Sequence, residues 1–184
     1  SAASDVYKRQ LLGVLALFLY VGVETIALAT ATGYAKALEL PGDNYGFIPS
    51  IGMVVGYICG ATLIPKYLSQ ATAMKICAII AIIGSALVAT MPAEISIYCI
   101  FFMALGCSLM WPALWPLAMA DLGKFTKAGS SLLTMAIAGG AVMPWVRGVV
   151  QDATSFQTSY WICVPCFLFI LYYGMIGYKI RTKK

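Results

Sequence analysis

Six apolar stretches, at residues 11–32, 46–64, 72–90, 95–120, 128–146 and 158–178, constrain this chain more than any other feature. Each is close to the roughly 20 residues an α-helix needs to cross a hydrocarbon core. In lipid every backbone N–H and C=O must find a partner inside the protein. A stretch of this length therefore crosses as a helix, because an open strand would leave its groups unpaired. The rest of the chain agrees. Of its 184 residues 61% are hydrophobic and 10% charged, and the mean hydropathy is +0.88. A soluble domain carries typically about 25% charged residues. The expected fold is an all-α membrane protein with six transmembrane helices.

Turn-forming residues mark the breaks: Pro41-Gly42-Asp43-Asn44, Met91-Pro92-Ala93-Glu94, Asp121-Leu122-Gly123-Lys124 and Gln151-Asp152-Ala153-Thr154-Ser155. With the N-terminus inside, Lys66, Lys75, Lys124, Lys127, Lys179, Arg181, Lys183 and Lys184 fall on the cytoplasmic side, against Lys36 and Arg147 outside. That bias fixes the orientation by the positive-inside rule and puts both termini in the cytoplasm. The expected location is the plasma membrane, the inner one in a bacterium. Residues 1–10 (SAASDVYKRQ) are polar, begin without methionine and lack a signal peptide's apolar core. They read as a non-native leader, with the native chain extending further upstream, and leave 11–184 as one transmembrane domain. Gly52, Gly56 and Gly60 share a helix face, and Gly139-Gly140 interrupts the fifth stretch; both patterns let helix backbones approach closely.

Enzyme chemistry is poorly served. Histidine is absent and Asp plus Glu total seven. No nucleophile–base pair can be assembled except from isolated Ser, Lys or Glu, and no phosphate-binding glycine loop is present. The six cysteines (Cys59, Cys77, Cys99, Cys107, Cys163 and Cys166) lie inside apolar runs and behave as small buried hydrophobes. No cofactor, metal or nucleic-acid partner is expected; the bilayer is the first partner.

Two features break the membrane rule. Glu24 lies midway along the first stretch, where a carboxylate costs several kcal/mol, about 2.5–3.5 on insertion scales. Such a group either faces a cavity, as a proton- or cation-coupling or sugar-binding acid, or bonds a neighbouring helix for structure. Tyr20 is one turn earlier on the same face. The fourth stretch carries Trp111-Pro112-Ala113-Leu114-Trp115-Pro116. Two prolines break the helix hydrogen bonding there, and broken helices at mid-membrane often line substrate sites. Indole faces stack on sugar C–H faces, so Trp111 and Trp115 are candidates, set against plain packing or, for Trp115, an interfacial position. Arg147 at the outer end is expected to reach the headgroups or pair with Asp152. Lys66, Asp121, Lys124 and Lys127 lie in inner loops, as a gating cluster or as ordinary solvated charges.

Several stretches resemble the fucose permease and glucose/galactose transporter branch of the major facilitator superfamily. They are Leu19-Tyr20-Val21-Gly22-Val23-Glu24; Gly56-Tyr57-Ile58-Cys59-Gly60 followed by Ile64-Pro65-Lys66-Tyr67-Leu68-Ser69-Gln70; and the block from Trp111 through Leu122-Gly123-Lys124-Phe125-Thr126-Lys127-Ala128-Gly129-Ser130-Ser131 to Pro144. The resemblance implies helices seven to twelve of a twelve-helix fold, one half built of 3+3 inverted repeats. It implies sugar import with a cation, H+ or Na+, by alternating access, in partnership with an N-terminal half. It places Trp111 at the sugar cavity and Tyr57 where many relatives carry arginine. Tyr20, Glu24, Trp111, Trp115, Thr134 and Met135 are then the expected substrate-binding residues, with Glu24 the coupling acid. Two other readings stand beside this one: a self-sufficient six-helix protein that homodimerises, and a non-transporting membrane sugar receptor or scaffold.

Overall fold

The computed structural model describes residues 2–42, 44–64, 66–67, 69–110 and 126–175. Among the described residues the fold is helical throughout: α1 (Ala2–Ala29), α2 (Ala31–Ala37), α3 (Phe47–Leu63), α4 (Gln70–Thr90), α5 (Ala93–Cys107), α6 (Thr126–Met135), α7 (Gly139–Ala153), α8 (Phe156–Ser159) and α9 (Cys163–Met175). Single 3-10 turns, Ala136–Ala138 and Tyr160–Ile162, join α6 to α7 and α8 to α9. Four segments, Gln10–Ala29, Ala71–Thr90, Lys127–Ala153 and Phe156–Met175, are long and apolar enough to cross a bilayer, and the shorter apolar helices Phe47–Leu63 and Ala93–Cys107 accompany them.

Helix association in lipid depends on close packing rather than on a hydrophobic drive, so small residues set the contacts. A Cβ on Gly106 would lie 2.6 Å from the Cys77 carbonyl, and one on Gly84 2.8 Å from the Met103 nitrogen. These pairs run in opposite directions, so α4 and α5 form an antiparallel hairpin around Met91-Pro92. Gly52, Gly56 and Gly60 meet Phe101, Ser108 and Leu109 in turn, so α3 and α5 run parallel. Gly139 abuts the backbone of Phe18 and Gly22 abuts Met143, so α1 and α7 run parallel too. The glycines singled out in the sequence all sit at helix contacts. α1 is central, touching α3, α5, α7 and α9.

At the end of the bundle opposite the chain's N-terminus a polar and aromatic clamp fixes the bend between α1 and α2. Ser96 Oγ donates to the Val88 carbonyl (2.5 Å), so Tyr34 is the donor in its 2.6 Å bond to Ser96. Thr30 Oγ1 likewise donates to Ile26 O, which makes Tyr160 the donor in the 2.7 Å Thr30–Tyr160 bond. The Tyr34 ring packs 5.2 Å from Phe156 and 5.0 Å from Tyr160. Gln157 Nε2 donates to Met91 O (2.6 Å), tying α8 to the end of α4.

Three features differ from the sequence reading. The first helix continues back to Ala2, and Gln10 is buried, donating to Gly129 O at 3.1 Å. α7 extends to Ala153, so Arg147 stands inside a helix rather than beyond its end. Arg147 also turns inward. Its guanidinium lies 4.4 Å from the Phe156 ring centroid and donates to Gln151 Oε1 (2.9 Å) and Ser159 Oγ (3.1 Å). Gln151, four residues on, shares its face, whereas Asp152 is exposed and does not.

Candidate functional site

Glu24 lies in the last quarter of α1, inside the apolar span Gln10–Ala29. Glu24 is half-buried, and Leu28, one turn on along the same side of the helix, is exposed. One turn back on the same face, Tyr20 is fully buried and its hydroxyl donates to the Cys107 carbonyl at the end of α5 (3.1 Å). The Glu24 side chain, one turn on, is the second acceptor near that hydroxyl. Among the described residues no Lys or Arg pairs with Glu24; the groups that feel its charge are Tyr20, Cys107 and Tyr57. A carboxylate with no cation paired to it can gain and lose a proton without breaking an ion pair.

Tyr57 reaches this place from α3. Gly56 is in contact with Ser108, and Tyr20 is bonded to Cys107, the residue before Ser108. Two helix contacts at adjacent positions of α5 thus bring Tyr57 level with Tyr20, one turn from Glu24. Its side chain is 48% exposed.

The other sequence candidates are placed as follows. Trp111, Trp115, Asp121 and Lys124 lie outside the described residues. Thr134 and Met135 are exposed, with Thr134 Oγ1 bonded to Ser130 O in its own helix (2.8 Å). Gly139 abuts Phe18, so Thr134 and Met135 stand level with residues 13 and 14 of α1 and not with Glu24. The separation along the axis is about 15 Å or more at about 1.5 Å per residue. Lys66 is exposed over the ring of Tyr67 (5.4 Å), and Lys127 is exposed near the start of α6; both stand at the bundle end that holds the start of α1. Among the described residues no group of His, Cys, Asp and Glu is arranged to hold a metal. The structure therefore joins Tyr20 to Glu24 and adds Tyr57, which the sequence marked only as a departure from arginine.

No protein-family model matches the chain. It is 27% identical over 179 residues to a glucose/galactose transporter of Brucella abortus, covering 94% of this chain and 43% of that protein. It is 30% identical over 176 residues to the L-fucose-proton symporter of Escherichia coli, covering 92% of this chain and 40% of that protein. The chain thus spans less than half the length of the curated relatives it matches. Its fold superposes on FucP, a major facilitator superfamily transporter crystallised in the outward conformation, with a TM-score of 0.86 at 25% identity over 93% of this chain and 42% of that one. A single-residue variant of the Escherichia coli fucose:proton symporter gives 0.87 at 24% identity over 96% and 45%.

Proposed function

We propose, taking as premise the homology of this chain to the sugar transporters of the major facilitator superfamily, that it forms the C-terminal half of a monosaccharide–cation symporter. In this reading six passes, arranged as two inverted repeats of three, make one wall of a cavity, and an N-terminal half supplies the other. The observation that carries it is the half-buried acid Glu24 inside the apolar span of α1, one turn from the buried Tyr20 and one turn from the exposed Leu28. An intramembrane acid is expensive, and the common reason to keep one is an ion or substrate path. Glu24 is the coupling acid, with a proton as the cation. Tyr20 and Trp111 line the cavity, joined by Trp115, Thr134 and Met135 along the same wall. Lys66, Asp121, Lys124 and Lys127 guard the cytoplasmic mouth, in a bacterial inner membrane with both ends of the chain inside.

Uptake of labelled glucose, galactose and fucose by the intact transporter in proteoliposomes, at several pH values with and without sodium, tests this reading. The expected result is saturable uptake of one of these sugars, driven by an inward proton gradient. Saturable uptake that needs sodium and ignores pH would replace the proton by sodium. The absence of saturable uptake for every sugar would sink the transporter reading.

A further inference from the structure

The fully described part of α3 holds one aromatic residue whose surroundings do not suit lipid. Tyr57 is ten residues past Phe47, so it stands about 15 Å along the helix at 1.5 Å per residue, near the middle of a core about 30 Å thick. Membrane tyrosines that face lipid favour the interfaces, where the ring is greasy and the hydroxyl wet. At mid-depth a lipid-facing phenol would leave its hydroxyl unpaired, at a cost of a few kcal/mol. Among the described residues the Tyr57 hydroxyl has no hydrogen-bond partner, and the one charged group that acts on it is Glu24. Yet the side chain is 48% exposed. α3 cannot simply rotate it away, because Gly52 and Gly56, on a flanking face of the helix, lock it onto the Phe101 carbonyl and Ser108 of α5.

We propose that Tyr57 is a substrate-facing residue of the Glu24 site, its ring a stacking platform for the C–H face of a pyranose and its hydroxyl a partner for a sugar hydroxyl also held by Glu24. The assignment rests on the transporter reading above and deepens it. An aromatic face beside a carboxylate is the pairing that saccharides select: the ring takes the apolar face, and the acid takes the hydroxyl edge. Tyr20 cannot serve, since it is fully buried and its hydroxyl is engaged with Cys107. Tyr57 is thus the aromatic wall that α3 contributes, and it sets which sugar ring fits against Glu24.

The test compares Tyr57→Phe and Tyr57→Leu in the intact transporter at matched membrane abundance. Tyr57→Leu should raise the sugar KM about 10-fold with Vmax little changed, while Tyr57→Phe, which keeps the ring, stays within about threefold. A second arm needs no transport. With Cys59→Ser removing the exposed native thiol, Tyr57→Cys should react with a membrane-impermeant thiol reagent, and the transported sugar should slow that reaction. An unchanged KM in Tyr57→Leu while the wild type transports overturns this assignment alone, as does a cysteine at 57 that the water-soluble reagent does not reach. A KM in Tyr57→Phe as high as in Tyr57→Leu overturns the stacking role. A wild type that takes up no sugar overturns the transporter reading and this assignment together.

Discussion

A phenol has one proton to give, and Tyr20 has two acceptors within reach: the Cys107 carbonyl on α5 and the Glu24 carboxylate on its own helix. When Glu24 is ionised, donation to the carboxylate is the stronger bond, because it is charge-assisted, and the tie from α1 to α5 slackens. When Glu24 is protonated, the acid can donate to the Tyr20 oxygen and Tyr20 can donate to Cys107 O. On the proposed function, the protonation state of one side chain is thereby converted into a bond between two helices, which is what coupling requires of a residue. Replacing Glu24 with Gln leaves a neutral donor in place and holds the second arrangement at every pH. On the proposed function, proton-driven uptake should fall at least about 10-fold, while sugar exchange across the membrane without a gradient persists. Uptake with an unaltered response to pH and sodium would exclude Glu24 as the coupling group. Tyr20→Phe removes the relay but keeps the acid. It should weaken the response to pH without abolishing it, and destabilise the protein by about 1 kcal/mol through the lost buried hydrogen bond.

Between helices the decisive quantity is the space a single Cβ would need, and it differs sharply from one glycine to the next. Gly106 stands against the α4 backbone, 2.6 Å from the Cys77 carbonyl, whereas a Cβ at Gly148 in α7 would meet nothing within 4 Å. Gly106→Ala should therefore pry α4 from α5 and lower the melting temperature in detergent, by about 1–3 kcal/mol of overpacking. Gly148→Ala should raise it, since alanine is about 0.5–1 kcal/mol better than glycine inside a helix. Opposite signs in one thermal assay check the packing directly; a drop for both would mean that α7 is packed at Gly148. The sequence made part of this readable. Contact glycines announce themselves by spacing, and Glu24 by being an acid in an apolar run. Arg147 was not readable. Its sequence neighbour Asp152 suggested a pair, but the partners that turn it inward, Phe156 and Ser159, come from a separate short helix. Tyr57 was not readable either: a tyrosine in an apolar helix is ordinary until Gly56 and Ser108 fix which way it faces. Gln10 was masked by a polar leader that looked dispensable, and only its bond to Gly129 reveals that the first helix is anchored there.

Across the whole molecule the described helices do not bury their apolar surface equally. The windows in Gln10–Ala29, Ala71–Thr90 and Phe156–Met175 are 44% buried inside the chain, but the window in Lys127–Ala153 is 12% buried. α3 is similarly open, exposing Ile51, Val54, Tyr57 and Ile58. These two helices flank α1, which exposes Leu28 and carries the half-buried Glu24 one turn before it. A helix wholly in lipid has no need to present an acid and a mid-depth phenol on its open side, and on the proposed function the open side is one wall that an N-terminal half completes. One wall cannot alternate access: with nothing across from it, Glu24 and Tyr57 would meet lipid, and no second body exists to rock against. Reconstituted by itself, this chain should give no sugar uptake above protein-free vesicles. Co-expressed with a six-helix N-terminal half from the intact transporter, it should recover uptake that Glu24→Gln then uncouples. Uptake by this chain alone, competed by unlabelled sugar, would show instead that two copies face each other and supply both walls. Crosslinking between cysteines placed at position 57 of two copies would then succeed, where the two-half arrangement predicts that it fails.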